Sequence, residues 1–381
     1  MNWIKIPFCM YLLLKPYYVI ASGGIQPADL FLVITLPLFF IFRPKEWILT
    51  NSESNNLLIF ISFIFYTVIV NLSYIIIHPA GDFHNTILYY MFNLSGIVVF
   101  TFLIKDIGFL RAFYNIQSIN LIIQSLILIS GKGRYLGGVR YMGTFNDPNQ
   151  LSFYIFLAII SIYALEDILL IKRRRWIIYL IGAYLIISSA STGILLGLVV
   201  FFISIFLSQL KISGEQLKKF LKLSLLLLVL GGGLYSTNKE SISKKVDYLI
   251  SRVEDKINSA SDDSEVGLLE DRGYDKIYKN AHYLFLGSGE GEMSRLKGYH
   301  EQEIHATFPA LFLYYGVPGL FLILLWLYRS LSKAPLNQQL VFMALFLESC
   351  TLANQRQLLF WGVIILMSKV RKREELTEEN N

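Results

Sequence analysis

The chain has 381 residues, of which 54% are hydrophobic and 15% aromatic. That balance excludes an ordinary soluble enzyme and a disordered chain, and it points to a polytopic membrane protein whose spanning helices use the whole length, 1–381, as one domain. The net charge of +6 fits basic cytoplasmic loops rather than a nucleic-acid surface, and Cys9 and Cys350 lie in apolar stretches that offer neither a disulfide framework nor a Cys-based metal site.

Apolar windows of about twenty residues predict spans near 4–21, 27–42, 57–77, 87–104, 112–130, 150–165, 176–190, 192–209, 220–236, 304–328, 337–353 and 357–369. The fold expected is therefore an all-α polytopic integral membrane protein of about twelve transmembrane helices. The first window faintly resembles a signal peptide at Ala21-Ser22-Gly23, but Lys15-Pro16 interrupts it and a second span follows at once, so it is read as a retained helix.

Charge sorts the connections into two sets. Arg43, Lys45, Lys105, Arg111, Lys172 to Arg175, Lys211, Lys218, Lys219, Lys222, Arg329, Lys333 and the tail residues Lys369 and Arg371 to Arg373 fall in one set. By the positive-inside rule that set is cytoplasmic, with both termini. Four cations oppose the bias: Lys132, Arg134 and Arg140 before the sixth span, and Arg356 between the last two. Each is either a surface or headgroup contact or part of a site for an anionic group at the outer leaflet, which the planar guanidinium matches well. Lys15, Asp29, His78 and His84 are further polar groups at the outer face, without an assigned role.

Gly143 to Gln150 reads as the start of the sixth helix, with Asp147 as its N-cap and Pro148 as its first residue. An outward helix N-terminus with Arg140 just before it also suits an anion, and Asn146 and Asn149 stand as supporting polar groups.

From Tyr235 to Glu303 the chain turns polar, and 237–304 is expected to be one large periplasmic loop containing short helices. Ile242, Val246, Leu249, Ile250, Val253 and Ile257 follow helical spacing. A second helical stretch, about Val266 to Tyr283, carries Arg272 and is broken by Gly287-Ser288-Gly289-Glu290-Gly291. That glycine run lacks a preceding strand and the Lys-Ser/Thr of a nucleotide loop, so it is read as a plain flexible turn. His300-Glu301-Gln302-Glu303-Ile304-His305 fails the zinc-protease spacing by one residue. Glu301 and His305, four apart, could share a helix face and let the carboxylate orient the imidazole. His305 is either a structural interfacial histidine or a general base working near neutral pH. Glu348 stands deep in an apolar span, as a functional group or as a helix–helix hydrogen-bonding one.

The constellation resembles the O-antigen polymerase and O-antigen ligase superfamily. The resemblance spans Arg140 to Gly319 and rests on the Gly-Thr-Phe-Asn-Asp-Pro-Asn turn, Arg272, Gly287-Ser288-Gly289, and His305 leading to Gly316-x-x-Gly319. Two features depart from the family pattern: Ala306 replaces the polar neighbour of the histidine, and Ser191-Thr192-Gly193 stands where Ser-Arg-Gly is usual. The resemblance implies undecaprenyl-diphosphate-linked glycans as substrates, a site at the periplasmic face of a bacterial inner membrane, and no metal, nucleotide or other cofactor. It implies His305 as the base and Arg140 and Arg272 on the diphosphate, with Arg356 as a substitute for the missing arginine. Partners implied are the lipid bilayer, a chain-length regulator and a flippase, with no nucleic acid. The departures favour a polymerase over a ligase. A flippase or transporter is the reading from a different class, though no internal repeat supports it.

Overall fold

The computed structural model describes residues 2–21, 24–42, 48–79, 81–171, 174–209, 272–299 and 301–370, with Tyr248, Ser251, Glu254 and Glu270. The expected span 220–236, the amphipathic stretch Ile242 to Ile257, and His300 lie outside these residues, as does much of the expected 237–304 loop.

The described chain forms helices α1 (Asn2–Leu14), α2 (Pro27–Phe42), α3 (Asn51–Ile77), α4 (Phe83–Leu103), α5 (Ile107–Ile129), α6 (Pro148–Ile168), α7 (Trp176–Ser189) and α8 (Thr192–Gln209). A short α9 (Asp275–Lys279) follows, then α10 (Thr307–Leu331), α11 (Leu336–Ser349) and α12 (Leu358–Met367). Five of them, α3, α4, α5, α6 and α10, are long and apolar enough to cross a membrane, and shorter apolar helices accompany them. This is the make-up of a multi-pass helical membrane protein.

Two local expectations change. The first helix stops at Leu14 rather than near residue 21. Pro16 cannot donate a backbone hydrogen bond and biases Lys15 away from helix. The segment beyond it finds other partners: Tyr18 N–H donates to Thr144 O at 3.2 Å, and Val19 and Ile20 N–H both donate to Gln26 Oε1 at 3.1 Å. The fold is also not purely helical. The loop before α6 makes a hairpin of β1 (Arg134–Leu136) and β2 (Arg140–Gly143), paired antiparallel with Leu136 opposite Arg140. Gly137 and Gly138 turn it with φ of +60° and +72°, the left-handed backbone that tight hairpins require.

Helix α6 sits at the centre, buried along almost its whole length between α5, α7, α8 and α12. Apolar transfer alone does not join helices in lipid, so close packing must. Gly96 of α4 lies against Leu358, Gly182 of α7 against Ile159, and Gly197 of α8 against Phe156. Phe60, Trp326 and Trp361 interlock with ring centroids 5.0–5.8 Å apart, each such pair adding about 1 kcal/mol beyond area burial.

The two ends of the bundle differ. At one, Lys5 pairs with Asp106 at 2.5 Å, Glu53 takes Lys105 at 2.6 Å and also Lys369, and Arg174 meets Asp167 at 2.6 Å. Asp167 also accepts from Asn337 and Gln338 at 2.8 Å, so the α6–α7 and α10–α11 connections share this end. The opposite end carries the hairpin, the glycine-rich turn and the loops around His305 and Arg356.

Candidate functional site

Arg140 lies on β2, buried, where the hairpin packs on α6 and α7. Its Nε donates to Ser189 O at 3.1 Å and its Nη2 to Asn149 Oδ1 at 3.0 Å. The same Asn149 oxygen accepts from Ser191 Oγ at 2.8 Å, tying β2, the start of α6 and the α7–α8 junction together. Asp147 caps α6 by accepting from Asn149 N–H at 2.7 Å and Gln150 N–H at 3.3 Å, with Pro148 as the first helical residue, as the sequence predicts. Asn146 is engaged structurally: it accepts from Arg134 Nη1 at 2.6 Å and donates to Ile20 O at 2.9 Å.

Beside this cluster, Gly193 faces Thr351, in the loop between α11 and α12. Arg272 Nη1 donates to Thr351 O at 2.7 Å, and Tyr274 OH donates to Cys350 O. Among the described residues Arg272 meets no carboxylate. Its own carbonyl accepts the His305 backbone N–H at 3.2 Å, so the two segments expected to carry the cation and the base run side by side. Gly273, with φ of +73°, turns the chain where it passes Ile304. Arg272 therefore sits in a turn ahead of α9; among the described residues of the stretch expected to reach Tyr283, Glu270 and Asp275–Lys279 are helical, followed by a 3-10 turn at Ala281–Leu284.

Helix α9 is fastened to the segment leading to His305. Asp275 accepts Tyr299 N–H at 2.6 Å, Lys276 Nζ donates to Gln302 O at 2.5 Å, and Asn280 Nδ2 donates to Lys297 O at 2.7 Å. Burial draws the Lys276 ammonium below its usual range, opposed by Asp275, Glu301 and Glu303. The His305 ring, half-buried, places Nε2 3.3 Å from Gln302 Oε1. Glu301 is exposed and does not orient the ring. The four-residue spacing fails because Glu301 to Ala306 is not helical; α10 starts only at Thr307.

The glycine-rich turn is packed rather than flexible. Helix α10 breaks at Gly316, whose φ of +60° and ψ of −166° are not helical. The turn fills the break: Ser288 N–H donates to Leu313 O at 3.0 Å and Gly289 N–H to Tyr314 O at 2.9 Å, satisfying carbonyls that the break leaves open. Contact is so close that a Cβ on Gly316 would lie 2.8 Å from Gly287 N. Arg295 holds the turn from outside, bonded to the Ser288 and Gly289 carbonyls and lying 4.6 Å from the centre of the Tyr74 ring.

This packing drives Glu290 into the bundle, fully buried. Its Oε2 accepts from Tyr90 and Tyr315 hydroxyls at 3.0 Å each, Gln355 reaches Oε1 at 3.3 Å, and its own N–H donates to Asn71 Oδ1 at 2.9 Å. Arg356, expected on a substrate diphosphate, instead spans two carboxylates: Nε donates to Glu290 Oε1 and Nη2 to Glu303 Oε2, both at 2.8 Å. Burial works against its charge, but Glu290 and Glu303 outweigh that and hold the guanidinium charged beyond its ordinary range.

Contacts thus link Arg140 through Asn149 to Ser191, and Gly193, two residues on, through Thr351 to Arg272 and so to His305; a second set runs from Glu303 through Arg356 to Glu290. Tyr274, Thr351, Glu290 and Glu303 escaped the sequence reading. The only signal was one carboxylate among three glycines, and nothing in a sequence says where such a turn docks. Glu348 is fully buried and accepts from Asn354 Nδ2 at 2.9 and 3.1 Å, while Asn354 N–H donates to Thr307 Oγ1. It braces the loop that receives Arg272. No known protein family matches this chain, and no curated protein matches it significantly.

Proposed function

We propose that the chain is an O-antigen polymerase, a metal-independent glycosyltransferase that joins undecaprenyl-diphosphate-linked oligosaccharide repeat units. In this reading it spans the bacterial inner membrane about twelve times, both termini are cytoplasmic, and the end bearing Arg140, Arg272 and His305 faces the periplasm. The pairing of Arg272 with His305 carries the reading, supported by the resemblance in the Gly-Thr-Phe-Asn-Asp-Pro-Asn turn and the Gly-x-Gly turn. Transfer from a lipid diphosphate needs a cation and a base within reach of one scissile bond.

The acceptor hydroxyl gives its proton to the His305 imidazole as its oxygen bonds the anomeric carbon of the donor. The bond from that carbon to the diphosphate breaks, and the electron pair leaves with the lipid diphosphate. Arg272, with Arg140 beyond Thr351 and Asn149, stabilises that charge by forked hydrogen bonds. The segment from α9 to His305 covers the site and keeps out water that would hydrolyse the donor.

Deleting the gene in its host and displaying surface glycan length tests this. Chains that stop at one repeat unit support a polymerase. Bare core with accumulated lipid-linked polymer would indicate a ligase, and single units trapped inside the cell a flippase.

A further inference from the structure

Arg356 joins two carboxylates of opposite character. Glu290 is fully buried and fixed by Tyr90, Tyr315 and Gln355, so it moves only with the bundle. Glu303 is about one-third exposed and lies two residues before His305, in a segment without helical hydrogen bonds of its own. Beyond the Arg356 bond, that segment is held by the His305 N–H bond to Arg272, the Ile304 N–H bond to Tyr314 OH at 3.3 Å and the Lys276 bond to Gln302. Planar geometry lets one guanidinium bond both carboxylates, which an ammonium cannot match.

We infer that Arg356 is a positioning residue rather than a ligand of the substrate diphosphate: it clamps the His305 segment, through Glu303, to the buried carboxylate of Glu290. The clamp explains why a carboxylate sits in the glycine-rich turn. Docking that turn into the α10 break fixes Glu290, Glu290 fixes Arg356, and Arg356 fixes the register of Glu303 and so the placing of the imidazole. Only its consequence for glycan transfer rests on the polymerase reading.

The clamp is tested first without substrate, on the purified full chain in detergent. In a His305→Cys background, maleimide labelling of the introduced thiol is timed, with labelling of Cys9 and Cys350 subtracted from a parallel run on the parent. Glu303→Gln and Arg356→Met are each expected to speed labelling roughly tenfold, and the double variant no further, because either change alone opens the clamp. Glu303→Gln keeps the test decisive should Arg356→Met fail to fold, since Glu303 is the outer, part-exposed partner. Unchanged labelling in Glu303→Gln overturns the clamp.

Elongation kinetics with lipid-diphosphate-linked repeat units then separate positioning from ligation. Positioning predicts that Glu303→Gln and Arg356→Met, with His305 intact, lower kcat and leave KM unchanged, with part of the loss recovered in Arg356→Lys. A raised KM at unchanged kcat in Arg356→Met would make Arg356 a phosphate ligand and overturn the inference. Faster labelling in a chain whose parent elongates nothing would uphold the clamp and defeat the polymerase reading.

Discussion

The backbone N–H of His305 donates to the carbonyl of Arg272 at 3.2 Å, across thirty-odd residues of a loop that returns on itself. A main-chain bond does not depend on either side chain, so each can be removed without separating the two segments. His305→Ala should cut elongation by about 10²–10⁴-fold, the usual contribution of a general base, while protein level stays normal. Arg272→Ala should abolish elongation as well. Surface glycan length beside an immunoblot checks both; full-length glycan from the His305→Ala strain would remove His305 as the base.

Gly287→Ala should destabilise the bundle rather than affect chemistry alone. Gly287 holds φ of +102°, and a Cβ there would come within 2.6 Å of Tyr315 Cα and closer still to Tyr314 O. Backbone strain together with that overlap should cost about 2 kcal/mol or more. Thermal unfolding in detergent should show a midpoint several degrees below the parent. An unchanged midpoint would mean that the turn does not dock in the α10 break.

Asp147 and Asn149 stand two residues apart with different work. Asp147→Ala removes the α6 cap and should cost about 1 kcal/mol of stability while elongation continues. Asn149→Ala removes the oxygen shared by Arg140 and Ser191, and should depress elongation more than it lowers the thermal midpoint. Equal effects of the two changes on elongation would count against Arg140 as a diphosphate ligand.

The Asp106 carboxyl gives a pH dependence at the other end of the bundle. Burial alone raises its pKa, but Lys5 and the backbone N–H groups of Phe109 and Gly108 overcome this and hold it below the usual carboxylate range. A depressed folded value means that the stabilisation is complete above the unfolded value of about 3.9 and disappears as pH falls through the folded value. The gap in thermal midpoint between the parent and Asp106→Asn should therefore be widest near neutral pH and close on acidification below that range. A gap independent of pH would show that the Lys5–Asp106 pair is not the source.

The helices were legible because lipid imposes a simple test on composition: a segment of spanning length must be apolar throughout, whatever it packs against. Helices α3, α4, α6 and α10 accordingly lie within a few residues of the predicted ranges, and the α6 start was readable from Asp147 and Pro148 because capping is local. The end of α1 was misjudged although Pro16 marked it, since the apolar run continues past the proline. The hairpin at Gly137-Gly138 was missed because strands of three and four residues carry almost no periodicity.

Residue types alone brought forward Arg140, Arg272 and His305, because a few cations outside the strongly basic loops and a histidine where an apolar span begins are conspicuous in a chain with few polar groups. Their relation was decided by tertiary structure. Arg356 and Glu301 show the limit: both were plausible by position, yet Arg356 turns to two carboxylates and Glu301 to solvent. Which partner a charged side chain finds depends on where distant segments dock. Here that rests on a helix break at Gly316 and on a glycine turn tight enough to fill it. The sequence by itself determined that the chain is a multi-pass helical membrane protein with a few cations set apart from its strongly basic loops. Only the fold decided which of them is bound up in a clamp and which stands beside His305, because hydrogen bonds between residues far apart in sequence leave no period to read.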